Sequence, residues 1–473
     1  MFNPQKTSRT NLNIHLIINS CIFILSVSER CWVAKTTKRI LYDFSLPKQD
    51  FGALYHMTPD LSHRDQHTVW HPFTQHKTAA APIPIMRGAG SYLYDADGAA
   101  YLDAISSWWT NLHGHAHPYL AEALYQQAQQ LEHVIFADFT HEPAVRLAER
   151  LLQTLPYLHK VFYSDNGSTA VEVALKMALQ YWYNKGVACT KIIVLENAYH
   201  GDTFGAMSVG ARGVFNRPFE GLFFDVVTIA VPYGDAVWAL DESIFTDAAA
   251  CIVEPLLQGS GGMLMYSAAN LERLFACCKR SKTLIIADEV MTGFYRTGQM
   301  WATDYLALKP DIVCMSKGIT GGMLPLGATA CTNEIFAAFL SDDRLKTFFH
   351  GHSYTANPLS CAVANASLDL LQAAGCQANI QAIVAAQTAF IGQLQGAKRA
   401  QNVRQCGTVV ALEVSTDEAA SYFNTLRDRI WQHFLQQKII LRPLGNTIYI
   451  MPPYCITPEE LRQVHSAILE FVR

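Results

Sequence analysis

The sequence predicts an α/β protein, a large domain on a mainly parallel sheet with a smaller α+β domain beside it. Three observations carry that reading. Short apolar runs alternate with helical patterns from residue 160 onward, Gly-containing turns separate them, and the order changes after about residue 370. The chain has 473 residues, 50% hydrophobic and 16% charged, which suits a large core and excludes a disordered chain. Single cores stop growing near ~250–300 residues, so more than one domain is expected.

Taken in order, 160–164, 191–195, 251–254, 283–288 and 311–315 read as buried strands. Between them, stretches such as 168–185 and 269–280 repeat apolar residues at three and four, as amphipathic helices do. Beyond residue 370 come a long Ala- and Gln-rich helical stretch, strand-like 408–414 and 447–451, and a closing helix from Pro458. The expected division is therefore 57–110 as the N-terminal part of the small domain, 111–370 as the large domain, and 371–473 as the rest of the small domain.

Residues 1–56 stand apart as an extension outside the fold. Lys6 and Arg9 precede an apolar run at 14–27, broken by Asn19 and Ser20 and shorter than the ~20 residues a membrane span needs. A secretory signal, a membrane anchor and an upstream stretch read from an early start codon compete here. The last fits best, because Met57 opens the coherent part and no later cysteine pattern looks secretory. Twelve cysteines lie scattered without a C-x-x-C pair, which suits a reducing cytoplasm. A net charge of −4 gives no strong field for nucleic acid or an anionic membrane, so a small-molecule partner is expected.

Ligands of parallel sheets gather at strand C-terminal ends, so the residues closing each run matter most. One run ends Ile285-Ile286-Ala287-Asp288-Glu289-Val290 and another Cys314-Met315-Ser316-Lys317-Gly318. An acid and a lysine at neighbouring strand ends can grip opposite sides of a flat ring. Pyridoxal phosphate needs that arrangement, with Lys317 as its Schiff-base lysine and Asp288 on the pyridinium nitrogen. The alternative is a solvated lysine and an exposed acid, against which stand the three apolar residues before Asp288. Asn166-Gly167-Ser168-Thr169 lies between strand and helix, where backbone N–H groups and a hydroxyl suit a phosphate or an ordinary helix cap. Tyr199, in Asn197-Ala198-Tyr199-His200-Gly201-Asp202, is placed to stack on the ring or to be a core tyrosine.

Other features carry less. His113, His115 and His117 alternate as metal ligands could, yet no Cys or carboxylate completes a site nearby in sequence. A turn into a helix after Pro118 is the preferred reading, and no metal is expected. Gly259-Ser260-Gly261-Gly262 and Gly321-Gly322 fit no nucleotide-loop pattern and read as turns shaping the pocket. Glu254 and Arg296, near strand ends, read as ion-pair partners behind the site.

These motifs carry a resemblance. From Val69 to the C-terminus the chain is similar to the class III, fold-type I aminotransferases, through Asp288-Glu289-Val290 and Ser316-Lys317-Gly318. More specific stretches resemble the biotin-pathway members of that class: Trp70-His71-Pro72-Phe73-Thr74, Ser106-Ser107-Trp108-Trp109, Tyr199-His200-Gly201-Asp202-Thr203, Phe294-Tyr295-Arg296-Thr297-Gly298 and Met451-Pro452-Pro453-Tyr454. The resemblance implies pyridoxal phosphate as cofactor, Lys317 and Asp288 as its lysine and nitrogen partner, and Gly167 and Ser168 at its phosphate. Tyr199 would touch cofactor and substrate, and Val290 would pack on the ring's other face. Gly351, His352 and Ser353 match a loop that family members reach across a homodimer interface, Gly351 to substrate and the other two to the phosphate.

For substrate, the resemblance implies 8-amino-7-oxononanoate as amino acceptor and S-adenosylmethionine or lysine as donor. Trp108 would wall the channel, Phe73 would touch substrate, and Arg442 would bind the acceptor's carboxylate, which a guanidinium grips in bidentate fashion. Many relatives carry Tyr at Phe73 and Thr at Ser353; the first change bears on donor choice, the second keeps the hydroxyl. Competing readings are another class III ω-amino acid aminotransferase, acting on 4-aminobutyrate or ornithine, and a non-catalytic regulator. The regulator would need a DNA-reading module, and residues 1–56 show no basic helix-turn-helix pattern.

Overall fold

The computed structural model describes residues 60–213, 215–234, 236–416 and 426–473. The expectations for residues 1–56 lie outside them. The chain clusters into two units, one ending at Thr68 and one running Val69–Arg473. In the first, Leu61–Thr68 is a helix. The second carries every strand of the described residues.

Its strands, in chain order, are β1 (Ile85–Ala89), β2 (Tyr92–Asp95), β3 (Ala100–Asp103), β4 (Lys160–Ser164), β5 (Lys191–Leu195), β6 (Val226–Ile229), β7 (Ala248–Val253) and β8 (Leu257–Gln258). They continue with β9 (Leu264–Met265), β10 (Leu284–Asp288), β11 (Ile312–Met315), β12 (Gly327–Cys331), β13 (Ala400–Cys406), β14 (Val409–Val414), β15 (Ile439–Ile440) and β16 (Thr447–Ile450). Among the described residues the largest sheet has the order β4-β12-β11-β10-β7-β5-β6. β11, β10, β7, β5 and β6 run parallel, and β12 is antiparallel to both β11 and β4. This is the mainly parallel α/β sheet the sequence predicts.

Both faces of that sheet are covered, which is why its strands are continuous apolar runs rather than alternating ones. On one face Ile192, Val194, Ile252, Ile286 and Ile312 pack against Val171, Ala174, Leu175 and Ala178 of the helix Gly167–Asn184. On the other, Ile193, Cys251, Val253 and Ile285 meet Leu271, Leu274, Phe275 and Cys278 of the helix Ala268–Ser281. Successive side chains in a strand point to opposite faces, so each strand feeds both layers.

Two smaller sheets flank the site. β1, β2 and β3 form an antiparallel meander whose last strand pairs in parallel with β15, Ile439 opposite Leu102 and Ile440 opposite Asp103. β13, β14 and β16 form the other. Met451 N–H, just past β16, donates to Ala104 O, 2.9 Å away. The N-terminal strands thus lie beside residues from the last forty of the chain.

Candidate active site

β10 and β11 are parallel neighbours, with Asp288 opposite Cys314, so both deliver their closing residues to one edge of the sheet. Strand alternation separates the two acids there. Glu289 turns away: its Oε1 accepts from Thr303 N and Oγ1 at 2.8 and 2.9 Å, and its Oε2 accepts from Ala302 N at 3.1 Å and Thr292 Oγ1 at 2.5 Å. Asp288 faces a cleft of about 680 Å³. Its Oδ1 accepts Val290 N–H at 3.1 Å, and its Oδ2 lies 2.7 Å from His200 Nδ1. A carboxylate only accepts, so the proton of that second bond sits on Nδ1. His200 is buried, and its Nε2 has no partner among the described residues.

Lys317 follows β11 with φ +44°, a left-handed backbone that costs an ordinary residue about 1–3 kcal/mol and clusters at functional sites. Its amine reaches the cleft and lies 5.0 Å from the ring centre of Trp109. Desolvation lowers its ammonium pKa below the ordinary lysine value, while the charges of Asp288 and Glu254 pull the other way. Glu254 lies just past β7. Its two oxygens accept Tyr199 N–H and Gly259 N–H, each at 3.0 Å, and burial raises its carboxyl to about 7.

The first turn of the helix Gly167–Asn184 opens on the same cleft through Asn166, Gly167 and Ser168. Asn166, rather than Ser168, caps this helix. Its side chain accepts Thr169 N–H at 3.0 Å, and Thr169 Oγ1 accepts Asn166 N–H at 3.1 Å. Ser168 Oγ instead accepts Thr203 N–H at 2.9 Å. A Cβ on Gly167 would stand 2.6 Å from Val290 Cγ1, so only glycine lets the helix approach this closely. Tyr199 also lines the cleft; its hydroxyl donates to Asp202 Oδ2 at 3.0 Å. Burial, then the Asp202 charge, raises the phenol's pKa, which keeps it neutral.

Lys317, Asp288, Tyr199, Gly167, Ser168 and Val290 therefore share one cleft. This set fits pyridoxal phosphate: an amine, a carboxyl group on the neighbouring strand, and a helix N-terminus with a glycine cradle for the anion. Phe73, Trp108 and Arg442 form an adjoining cluster. The Phe73 and Trp108 rings are 5.7 Å apart, and the Arg442 guanidinium carbon lies 5.1 Å from the Trp108 ring centre. Trp108 joins directly to Trp109, which does line the cleft. Gly351, His352 and Ser353 do not line the cleft of their own chain. His352 Nδ1 accepts Tyr354 N–H at 3.2 Å, and its buried Nε2 has no partner among the described residues.

Two readings of the sequence need correction. Glu254 and Arg296 are not ion-pair partners. Glu254 binds backbone N–H groups, and Arg296 donates to the carbonyls of Pro452 and Asn111 at 2.8 and 3.4 Å. A carboxylate does stand beside one of the alternating histidines, since His115 pairs with Asp103 at 2.9 Å. His113 instead meets Ser367 Oγ at 3.0 Å, and His117 caps the helix Pro118–Ala128. Sequence reading also passed over His200, which a lone histidine after Tyr199 gives no means of assigning.

The family model for class-III aminotransferases matches residues 73–472. The chain is 47% identical to the adenosylmethionine-8-amino-7-oxononanoate aminotransferase of Synechococcus elongatus, over 85% of this chain and 98% of that one. It is 39% identical to the enzyme of the same name from Helicobacter pylori, covering 87% and 98%. Among solved structures, the adenosylmethionine-8-amino-7-oxononanoate aminotransferase of Methanocaldococcus jannaschii superposes with a TM-score of 0.82 at 35% identity, covering 87% and 98%. A PLP-bound amine transaminase from an uncultivated Pseudomonas species gives 0.77 at 31% identity, covering 85% and 97%. With a match this long and a lysine, acid and helix N-terminus in one cleft, the chain belongs to the class-III aminotransferases.

Proposed function

We propose that this protein is the transaminase that converts 8-amino-7-oxononanoate to 7,8-diaminononanoate in biotin biosynthesis, with S-adenosylmethionine as amino donor. The observation that carries the reading is the convergence of Lys317, Asp288 and the Gly167–Ser168 turn on one cleft, in a chain 47% identical to a relative named for that substrate. Lysine is the donor that Phe73 leaves as a second choice.

Bound pyridoxal phosphate supplies a carbonyl carbon for the amino group and a ring that holds the electrons released beside it. The protein's share is binding, orientation and proton movement. Asp288 would present a carboxyl oxygen to the ring nitrogen, and the His200 Nδ1–H and Val290 N–H bonds fix its plane. Lys317 Nζ, its proton affinity reduced by desolvation, takes and returns a proton at the substrate's α-carbon. Gly167 and Ser168 would hold the phosphate, and Val290 and Tyr199, which line the same cleft, would pack on the ring, Tyr199 also touching substrate. Between the two half-reactions the amino group stays in the site, so donor and acceptor use the same channel in turn.

That channel is walled by Trp108, with Phe73 against it, and ends at Arg442, whose guanidinium binds the acceptor's carboxylate. Arg442→Ala is expected to raise KM for 8-amino-7-oxononanoate at least about tenfold while changing the donor half-reaction far less. Steady-state kinetics with each substrate varied separately measure this, and equal losses for both would remove the assignment.

The protein acts as a homodimer in this reading, with Gly351, His352 and Ser353 completing the partner's site. That they do not line their own cleft and that the buried His352 Nε2 has no partner among the described residues support it. Sedimentation velocity is expected to show twice the chain mass, and a monomer with full activity would exclude the shared site. Within Val69–Arg473, the β3–β15 pairing supports joining the residues before 110 with those after 371 in one smaller domain. The reading places the protein in the cytoplasm, in keeping with ten free cysteines among the described residues. No helix among those residues is long and apolar enough to cross a membrane.

A further inference from the structure

The segment Ser106–Trp109 carries Trp108 to the channel and Trp109 to the cleft in a backbone that L-residues avoid. Ser106, Ser107 and Trp109 have φ of +54°, +59° and +67°, and Ser107 has ψ −101°. Three left-handed residues within four do not persist unless the surroundings over-determine them.

The determinant is Asp103, which closes β3 and is fully buried. Its Oδ1 accepts Ile105 N–H at 3.0 Å, and its Oδ2 accepts Ser107 N–H at 2.6 Å and bonds His115 Nε2 at 2.9 Å. Asn111 Nδ2 lies 3.0 Å from His115 Nδ1. An amide NH2 only donates, so Nδ1 accepts and the ring proton sits on Nε2, aimed at Asp103. Asn111 is in turn tied to the buried Arg296, which donates to its carbonyl at 3.4 Å and to Pro452 O at 2.8 Å. Ser106 Oγ donates to Met451 O at 2.8 Å, and Trp109 Nε1 donates to Tyr449 Oη at 2.9 Å. The double-tryptophan turn is thus anchored to Asp103 on one side and to the 449–452 segment on the other.

We infer that the Asp103–His115 pair is a positioning and specificity element: it holds the strained turn so that Trp108 presents its ring to the substrate chain beside Arg442. Neither residue lines the cleft. Their effect passes through Trp108, and the inference rests on the reading of Trp108 as a channel wall. Charge-assisted bonds from two backbone N–H groups are strong enough to oppose the strain. Without them the turn relaxes, Trp108 leaves its place against Phe73 and Arg442, and binding of the long acceptor weakens while the chemistry at Lys317 continues.

The test uses cofactor-loaded enzyme and steady-state kinetics with 8-amino-7-oxononanoate at saturating donor, for wild type, Trp108→Ala, Asp103→Asn, His115→Leu and His115→Gln. Asp103→Asn keeps the side-chain shape but turns an NH2 toward the donors on one side. His115→Gln keeps a donor for Asp103, whereas His115→Leu does not. The expected result is a KM about tenfold or more above wild type in Trp108→Ala, Asp103→Asn and His115→Leu, with kcat within about twofold and the bound-cofactor absorbance unchanged. His115→Gln is expected to stay near wild type. If Trp108→Ala raises KM and Asp103→Asn does not, the clamp is wrong and the channel reading stands. If Trp108→Ala leaves KM unchanged, the channel reading fails and the clamp falls with it. Should Asp103→Asn fail to fold, the two His115 variants decide, and equal KM values for them would overturn the inference.

Discussion

Lys317→Ala is expected to lower both half-reactions by at least about 10³-fold, the loss that follows when a positioned acid–base group is removed. Among the described residues that line this cleft, Lys317 is the one lysine or arginine, and it follows the strand beside that of Asp288. Cofactor would also lose its covalent attachment, so the visible absorbance should fall and dialysis should strip it. Folding is expected to survive, because alanine tolerates the φ of +44° no worse than lysine and removes a desolvated ammonium. Rapid mixing with donor, followed by absorbance, measures the loss. Turnover within tenfold of wild type would show that Lys317 is not the proton carrier.

Asp288→Asn should lower kcat by about 10²–10³-fold, in line with the removal of one preorganised electrostatic contact in a water-poor site. Asparagine fits the space and can still accept one N–H bond, from His200 or from Val290. It brings no negative charge, so nothing holds a proton on the ring nitrogen and the ring becomes a poorer store for electrons. Cofactor binding should weaken less than turnover, since the phosphate contacts proposed for Gly167 and Ser168 would be untouched. Comparison of cofactor titration with single-turnover rates separates the two effects. A variant that binds cofactor normally and turns over at wild-type rate would dismiss the pairing.

Much of the sheet was legible because its central strands carry their own signal. Ile192 to Leu195 and Leu284 to Ala287 are buried on both faces and read as apolar runs. β12 was not, since Gly-Ala-Thr-Ala-Cys has neither bulk nor alternation. It is small because it runs beside the turn at 166–168, where a Cβ on Gly327 would stand 2.4 Å from Asn166 O. β1, β2 and β13 escaped for another reason: their residues are exposed or half-buried and form no apolar run, so pairing with the adjoining strand makes them strands.

The site divides the same way. Lys317, Asp288 and Tyr199 close strands or start the loops after them, so parallel-sheet topology alone points at them. Asp103 and His115 lie twelve residues apart around the double tryptophan, and no local period announces their contact. The three alternating histidines read as a turn into a helix rather than as metal ligands; the helix does begin at Pro118, and the structure gives the histidines a carboxylate, a serine hydroxyl and a helix cap as partners. Where Ser168 resembled a cap, Asn166 took that role and left Ser168 facing the cleft.

The most direct measurement of the central claim begins with enzyme whose site already carries the amino group. This enzyme is mixed with 8-amino-7-oxononanoate, and product is identified by mass after a single turnover. The account predicts stoichiometric 7,8-diaminononanoate and return of the pyridoxal absorbance, with S-adenosylmethionine or lysine then restoring the amino form. No reaction with 8-amino-7-oxononanoate, alongside ready exchange with the aldehydes derived from 4-aminobutyrate or ornithine, would contradict it.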